Sequence, residues 1–417
     1  MAAHGSNFQT NGCGARLIGM LIRPAVVAVA FGAIAVSQDY PQWRGVNRDG
    51  SASAFVEPKV WPDKLTRRWK VEVGEGYATP LVIGGTVYSF TRRDGNEVMT
   101  ALSTVDGKIL WQASYAAPYQ MADPTKAHGR GPKSTPVFHG GKLYTLGISG
   151  IVSAFDASTG KLVWQKPAPG EQPFFGTASS PLADRNLIIM HPGNYDPLTA
   201  FDATTGDVKW MAKGDGLYAS PIIAELEGTR QVISMGQQNI TSVAIDNGAP
   251  LWQYPWPGAD GGMQAITPVL YRDNIIVSSY HSGVAALKPS RRDGKWTVDV
   301  VWQTGNVSMF LSNPVVIGDT LFGLSEKASG QYFSLDPKTG KVLALGKPRQ
   351  ATNTAVVKAG DLLFWLNDDA TLIVSRNGLE PFKTYTVADS ATWAQPAISG
   401  NRFFIKDVSS LALWTVD

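Results

Sequence analysis

An eleven-residue stretch, Ala154-Phe-Asp-Ala-Ser-Thr-Gly-Lys-Leu-Val-Trp164, returns as Ala200-Phe-Asp-Ala-Thr-Thr-Gly-Asp-Val-Lys-Trp210 with Asp, Gly and Trp in the same register. Looser copies are Thr104-Val-Asp-Gly-Lys-Ile-Leu-Trp111, Ile245-Asp-Asn-Gly-Ala-Pro-Leu-Trp252 and Leu335-Asp-Pro-Lys-Thr-Gly-Lys341. Each copy reads as a hairpin. An apolar strand ends at Asp156 or Asp202, whose carboxylate accepts hydrogen bonds from the backbone of the turn that follows. Gly160 or Gly206 supplies a positive φ, and the chain returns as a second strand carrying Trp164 or Trp210. One such hairpin cannot bury its own apolar face, so the copies must pack on one another.

A second signal precedes each hairpin: a small residue, Pro, an apolar run, a turn and another apolar run. Its anchors fall at 80, 136, 181, 221, 268, 314, 355 and 396, with alanine replacing proline at 355, and are 56, 45, 40, 47, 46, 41 and 41 residues apart. Periods of roughly 40–50 residues with four short strands each are propeller spacing. The last copy has room for strands at 397–398, 402–405 and 411–416 before the chain stops. Its missing outer strand is available as 67–73, which carries Trp69 but has no strands before it. Pairing the two ends closes the ring and removes free sheet edges. The expected fold is therefore all-β, an eight-bladed propeller of four-stranded antiparallel blades over 66–417, closed by the N-terminal strand, with 38–65 as an extended strap. Trp69, Trp111, Trp164, Trp210, Trp252 and Trp302 are read as structural, because they recur with the repeat; Ala344 falls where blade 6 should have its Trp.

The Ala-x-Asp-x-x-Thr-Gly-x-x-x-Trp unit resembles the tryptophan-docking repeat of pyrroloquinoline-quinone-type eight-bladed propellers. The opening Tyr40-Pro-Gln-Trp-Arg-Gly-Val-Asn-Arg-Asp-Gly50 resembles the first segment of many bacterial propellers of this type. The resemblance implies one of two kinds of protein. One is a non-catalytic scaffold, such as the lipoprotein propeller of the outer-membrane β-barrel assembly machinery. The other is a quinone-dependent alcohol or sugar dehydrogenase, which holds the quinone between a Trp and adjacent cysteines, over calcium bound by Glu, Asn and Asp, with an Asp as general base. This chain has no cysteine pair. Glu326, Asn313, Asp368 and Asp369 are candidate calcium ligands, since calcium takes six to eight oxygens, but their spacing matches no dehydrogenase motif. Asp123, Asp215 and Asp260 lie on entry loops where a base could sit, but each reads as a turn-forming or solvated Asp rather than as a base. No catalytic residue or metal site is carried over and no cofactor is expected; quinone with calcium remains the alternative.

Composition narrows the field. The 43 Gly, 26 Pro and 13 Trp in 417 residues suit one large all-β domain. Charged residues are 17%, and the net charge of +3 drops to +1 without Arg16 and Arg23 of the leader, so nothing electrostatic favours nucleic acid. Residues 21–37 have a basic start, an apolar core and small residues at Ala35 and Ser37, the pattern of a cleavable secretory signal, too short for a membrane span. Met20 would serve as an alternative start. The only cysteine, Cys13, lies upstream of that apolar core, which leaves a mature chain with no disulfide, haem attachment or lipidation cysteine. A periplasmic or secreted monomer is expected.

Chemistry should gather at one mouth of the central channel. The loops leading into the innermost strands, three residues before each anchor, supply Tyr77, Lys133, Ala178, Tyr218, Ala265, Leu311, Thr352 and Trp393. Neighbours add Phe174, Phe175, Met263, Gln264 and Phe310, and the long insertion 113–133 adds His128 and Arg130. Loops between the middle strands add His191, Asn194, Tyr195 and His281, among others. From these the candidate binding residues are Tyr77, Arg130, Lys133, Tyr218, Gln264, Asn313, Trp393, His191 and His281. Aromatics and amides converging on a concavity fit a protein partner, small ligand, carbohydrate or peptide; the same aromatics also suit simple plugging of the channel. The function expected is a non-catalytic binding scaffold. The alternatives are a quinone-dependent dehydrogenase and a carbohydrate- or peptide-binding module.

Overall fold

The computed structural model describes residues 39–52, 54–169, 174–193, 195–216, 218–257 and 263–417, with Met1, Gln9, Asn11 and Gly12. The leader read at 1–37, with Met20 and Cys13, otherwise lies outside the described residues, as do Asn194, Asp260 and the side chain of His128. The unit Ser37–Asp417 carries the fold. Eight antiparallel sheets of four strands each follow one another along the chain. Blade 1 is typical, with strands Leu81–Ile83, Thr86–Arg93, Asn96–Ser103 and Ile109–Ala116 running from the channel outward. Blade 8 takes Ala397–Ser399, Arg402–Lys406 and Ser410–Thr415 from the C-terminus, and Thr66–Glu72 from the N-terminal side completes it. The all-β eight-bladed propeller is thus closed in the way the repeat count required. Among the described residues, no helix is long and apolar enough to cross a membrane.

The hairpin motif holds neighbouring blades together. Asp156 Oδ1 accepts the backbone N–H groups of Ser158 and Thr159 at 3.1 and 2.9 Å as well as both hydroxyls, and these bonds hold its carboxyl down to about 2. Gly160 then adopts φ +74°, and a Cβ there would lie 2.5 Å from the Trp111 ring of the preceding blade. Trp111 donates its Nε1–H to the Ala157 carbonyl at 3.1 Å. The same pair of contacts, a ring on glycine and an N–H to the carbonyl three residues earlier, recurs for Trp69 on Gly107, Trp164 on Gly206, Trp210 on Gly248 and Trp302 on Gly340. Trp252 departs from the pattern. Blade 5 has a long outer hairpin, Val284–Arg292 with Lys295–Thr304, in place of the Asp-to-Gly turn, so Trp252 donates instead to Gln231 of its own blade at 2.7 Å.

The residue before most of the anchor prolines has its own structural reason. Thr79 N–H donates to Thr135 Oγ1, Thr135 N–H to Ser180 Oγ, Ser180 N–H to Ser220 Oγ, and Thr267 N–H to Asn313 Oδ1, at 2.7–3.0 Å. The innermost strands cannot pair with one another around the channel, and these side chains pair the buried amides that ring it.

The segment anticipated as an extended strap is, over 40–52, a run of turns placed inside the channel. Arg44, Gly45, Arg48 and Gly50 all have positive φ, which an extended strap excludes. Tyr40 pairs with Val82 of blade 1, Arg48 donates to the Ser180 and Pro181 carbonyls of blade 3, and Trp43 to Thr267 of blade 5. Arg44 donates to the Pro314 carbonyl of blade 6, and Ala52 N–H to Lys358 of blade 7. Burial lowers the Arg44 and Arg48 pKa values to about 10 and about 9. One short segment therefore reaches across the propeller and plugs its axis.

Blades 1 and 2 share a buried acid. Glu97 is fully buried and accepts the Tyr115 hydroxyl and the Ile148 N–H, each at 2.6 Å; burial raises its pKa despite those bonds and the Arg92 charge. The unfolded chain loses this proton near pH 4.5 and the folded chain only at higher pH, so between the two the native state holds more protons. The stability tied to protonated Glu97 is complete below about pH 4.5 and is lost as pH rises through the raised value, by at most about 1.4 kcal/mol per pH unit. Glu97→Gln is expected to flatten this fall, as read by urea melts at pH 5 and 7; an unchanged slope would contradict the assignment.

Candidate functional site

The loops preceding the innermost strands meet above the plug and enclose a cavity of about 270 Å³. Tyr77, Lys133, Tyr218, Asn313 and Trp393 line it, as do Phe175, Ala178, Met263, Ala265, Phe310 and Leu311 from the same series. Trp43 of the plug also lines it, its Nε1–H held by Thr267 Oγ1 at 3.1 Å. The rings form three groups around the opening. Tyr77 and Trp393 stand 6.3 Å apart; Phe174, Phe175 and Tyr218 form successive edge-on contacts at 4.8 and 5.9 Å; Tyr280 and Phe310 lie 4.5 Å apart. These distances suit favourable ring pairs, so the wall is pre-formed while Tyr77, Tyr218, Trp393 and Phe310 stay half-buried.

Four of the proposed binding residues sit elsewhere. Arg130 is exposed on the insertion and does not line the cavity. Gln264 is buried and turns its Nε2 toward the Gln237 carbonyl at 2.8 Å. His191 is a joint between blades 3 and 4: its Nδ1–H donates to the Asp196 carbonyl at 2.9 Å and its Nε2 accepts the Ser234 hydroxyl at 2.5 Å. Burial lowers its pKa, which suits that neutral tautomer. His281 stands on the rim, stacked on Tyr280 at 3.7 Å and 3.3 Å from Glu326, outside the cavity. The reason is shared: a position on a mouth-side loop does not fix whether its side chain points to the axis or into the seam between blades. Conversely, Trp43, Ser220 and Asn353 line the cavity and were not anticipated. Ser220 was legible in principle as the residue before Pro221, but Trp43 lies in a segment with no repeat to place it.

The electrostatics are simple. Among the described residues that line the cavity Lys133 is the one charged residue, and its Nζ donates to the Phe175 carbonyl at 2.7 Å. Burial lowers its pKa to about 8. The donor set does not fit a quinone seated on calcium. Among the described residues no carboxylate lines the cavity, and no group of three or more His, Cys, Asp or Glu is placed to hold a metal. Asn313 Oδ1 accepts the Thr267 N–H at 2.7 Å and Asn353 Oδ1 the Ser312 hydroxyl at 2.9 Å. Glu326 is occupied by His281, and Asp368 by the amides of Thr352 and Asn353. Asp215 accepts the Gln238 N–H, and Asp123 pairs with Lys126.

Comparison with known proteins agrees with this architecture. The family model described as outer membrane protein assembly factor BamB matches residues 120–344. The chain is 24% identical over 305 residues to the outer membrane protein assembly factor BamB of Shewanella oneidensis, covering 68% of this chain and 72% of that one. It is 32% identical over 311 residues to the dehydrogenase subunit of a quinone alcohol dehydrogenase from Komagataeibacter europaeus, covering 64% of this chain but 39% of that one. The chain thus spans about two-fifths of such subunits. Among solved structures, BamB from Moraxella catarrhalis matches with TM-score 0.62 at 16% identity, covering 84% of this chain and 97% of that one. The quinohemoprotein alcohol dehydrogenase of Comamonas testosteroni matches with TM-score 0.68 at 14% identity, covering 92% and 81%. At such identities the likeness is one of fold. The family match, by contrast, spans just over half of the sequence, and the chain belongs to the family described as outer membrane protein assembly factor BamB, built on the pyrroloquinoline-quinone-type propeller repeat.

Proposed function

We propose that this chain is a secreted or periplasmic, non-catalytic propeller that holds a partner polypeptide at its aromatic mouth, as a scaffold in outer-membrane protein assembly. One observation carries the reading: a pre-formed cavity walled by Tyr77, Tyr218, Trp393, Trp43, Phe175 and Phe310, with no carboxylate among its described lining residues. Large rings with few side-chain torsions give contact area at small entropic cost, and such residues dominate binding hot spots. The leader pattern and the propeller family both support export.

The dehydrogenase reading has the quinone alcohol dehydrogenases in its favour as relatives, but a dehydrogenase of that kind needs oxygen ligands for calcium, and the amides that line this mouth spend theirs on the fold. Titrating the purified protein with pyrroloquinoline quinone and calcium tests the point. No saturable quenching of Trp fluorescence and no change in melting temperature are expected. A ligand at a hundred times its dissociation constant would add about 2.7 kcal/mol, and a saturable shift of that size would overturn the non-catalytic reading.

A further inference from the structure

Among the described residues that line the aromatic cavity, Lys133 is the one that carries a charge. Its side chain reaches the wall of the aromatic cavity from the end of the long insertion, and Tyr119 of that insertion donates to the Phe174 carbonyl at 3.3 Å, tying insertion and aromatic loop together. A lysine ammonium has three donors, and the hydrogen bond found for this one goes to the neutral Phe175 carbonyl. No carboxylate lies within ion-pairing distance among the described residues, whereas the half-buried Lys358 and Lys383 each have one. Burial is the cause that lowers the Lys133 pKa. A half-buried cation in a wall of rings attracts an anion that enters more strongly than it would in open water, and the neighbouring amide oxygens are already occupied. The cavity is therefore complementary to a group that is apolar around a single negative charge.

We infer that the polypeptide bound at this mouth presents an acidic side chain, flanked by aromatic or apolar residues, to the Lys133 ammonium. This rests on the reading of the mouth as a polypeptide site and adds the chemistry by which that site selects. Charge complementarity provides the selection and the rings provide contact area, a division common at protein interfaces. A charge-assisted hydrogen bond is roughly twice as strong as a neutral one, so an acid gains more at Lys133 than an amide would.

Two peptides serve as the probe, acetyl-Phe-Glu-Phe-amide and acetyl-Phe-Gln-Phe-amide, titrated at pH 7 and low salt into the wild-type protein, Lys133→Met and Lys133→Arg, with Trp fluorescence as the readout. The wild type is expected to bind the acidic peptide about tenfold or more tighter than the amide peptide. That preference should vanish in Lys133→Met and persist in Lys133→Arg. Equal affinities on the wild type would overturn the inference and leave the mouth a polypeptide site, as would a preference that survives Lys133→Met. Failure of both peptides to bind at millimolar concentration would overturn the inference and the reading beneath it together. The wild-type comparison needs no substitution, so a poorly folding variant does not blunt the test.

Discussion

Trp164→Ala is expected to lower the unfolding free energy by about 3–5 kcal/mol, measured by chemical denaturation with an unchanged denaturant slope. The ring is nearly fully buried, packs against Tyr144 and Phe201 at 5.9 and 6.3 Å, and covers Gly206 of the next blade. Its Nε1–H also satisfies the Ala203 carbonyl, which the Tyr144 hydroxyl contacts at 2.9 Å. Removing it therefore opens a void in the seam between two blades. Gly206→Val attacks the same contact from the other side, because that position has φ +75° and a Cβ would lie 2.7 Å from the ring. The double variant should lose less than the sum of the single losses, since the two share one interaction. The neighbouring Val163→Ala, on the solvent side of the same strand, should stay within about 0.5 kcal/mol. Additive losses in the cycle would show that ring and glycine do not act as a pair.

Tyr218→Ala with Trp393→Ala is expected to weaken binding of the acidic tripeptide by about thirtyfold or more, the scale of a hot-spot truncation. Both rings are half-buried on the cavity wall and belong to different aromatic groups, so their removal strips two sides of the mouth. Leu270→Ala is the control. Leu270 lines the second cavity, of about 230 Å³, on the other side of the plug, where Val46 and Asn47 replace Trp43 in the lining. That substitution should leave peptide binding unchanged. Equal losses from both would mean that the effect is on folding rather than on the mouth.

The propeller was legible because its physics repeats. The spacing of Thr79-Pro80, Thr135-Pro136, Ser180-Pro181 and their fellows gave the blade count, and Trp69 without strands before it gave the closure. The mouth followed from geometry: every loop before an anchor must face the same side of the ring. What stayed hidden lies in positions that a repeat does not determine. The plug, 40–52, occurs once, and its path through the channel depends on contacts with six blades that no local pattern encodes. His191 looked like a mouth residue because it lies on the loop that follows the strand Leu187–Met190, yet a neutral imidazole bridging Asp196 and Ser234 belongs to the blade seam. Trp252 carries the repeat signature but lacks its partner turn, since the next blade spends those residues on a longer hairpin. Calcium chemistry was harder to judge from sequence, where Asn313 and Glu326 count as oxygens; in the structure both are already hydrogen-bonded to backbone amides.

The central claim is that the aromatic mouth holds a partner polypeptide, and site-specific photo-crosslinking in the native cells tests it most directly. A benzophenone amino acid at Leu311, exposed on the cavity rim, should yield discrete polypeptide adducts. The same probe at Val105, exposed on the turn between the two outer strands of blade 1, should not. Adducts at Leu311 that disappear when Tyr218→Ala and Trp393→Ala are added are the predicted result. No adducts at Leu311, or the same adducts from Val105, would contradict the account.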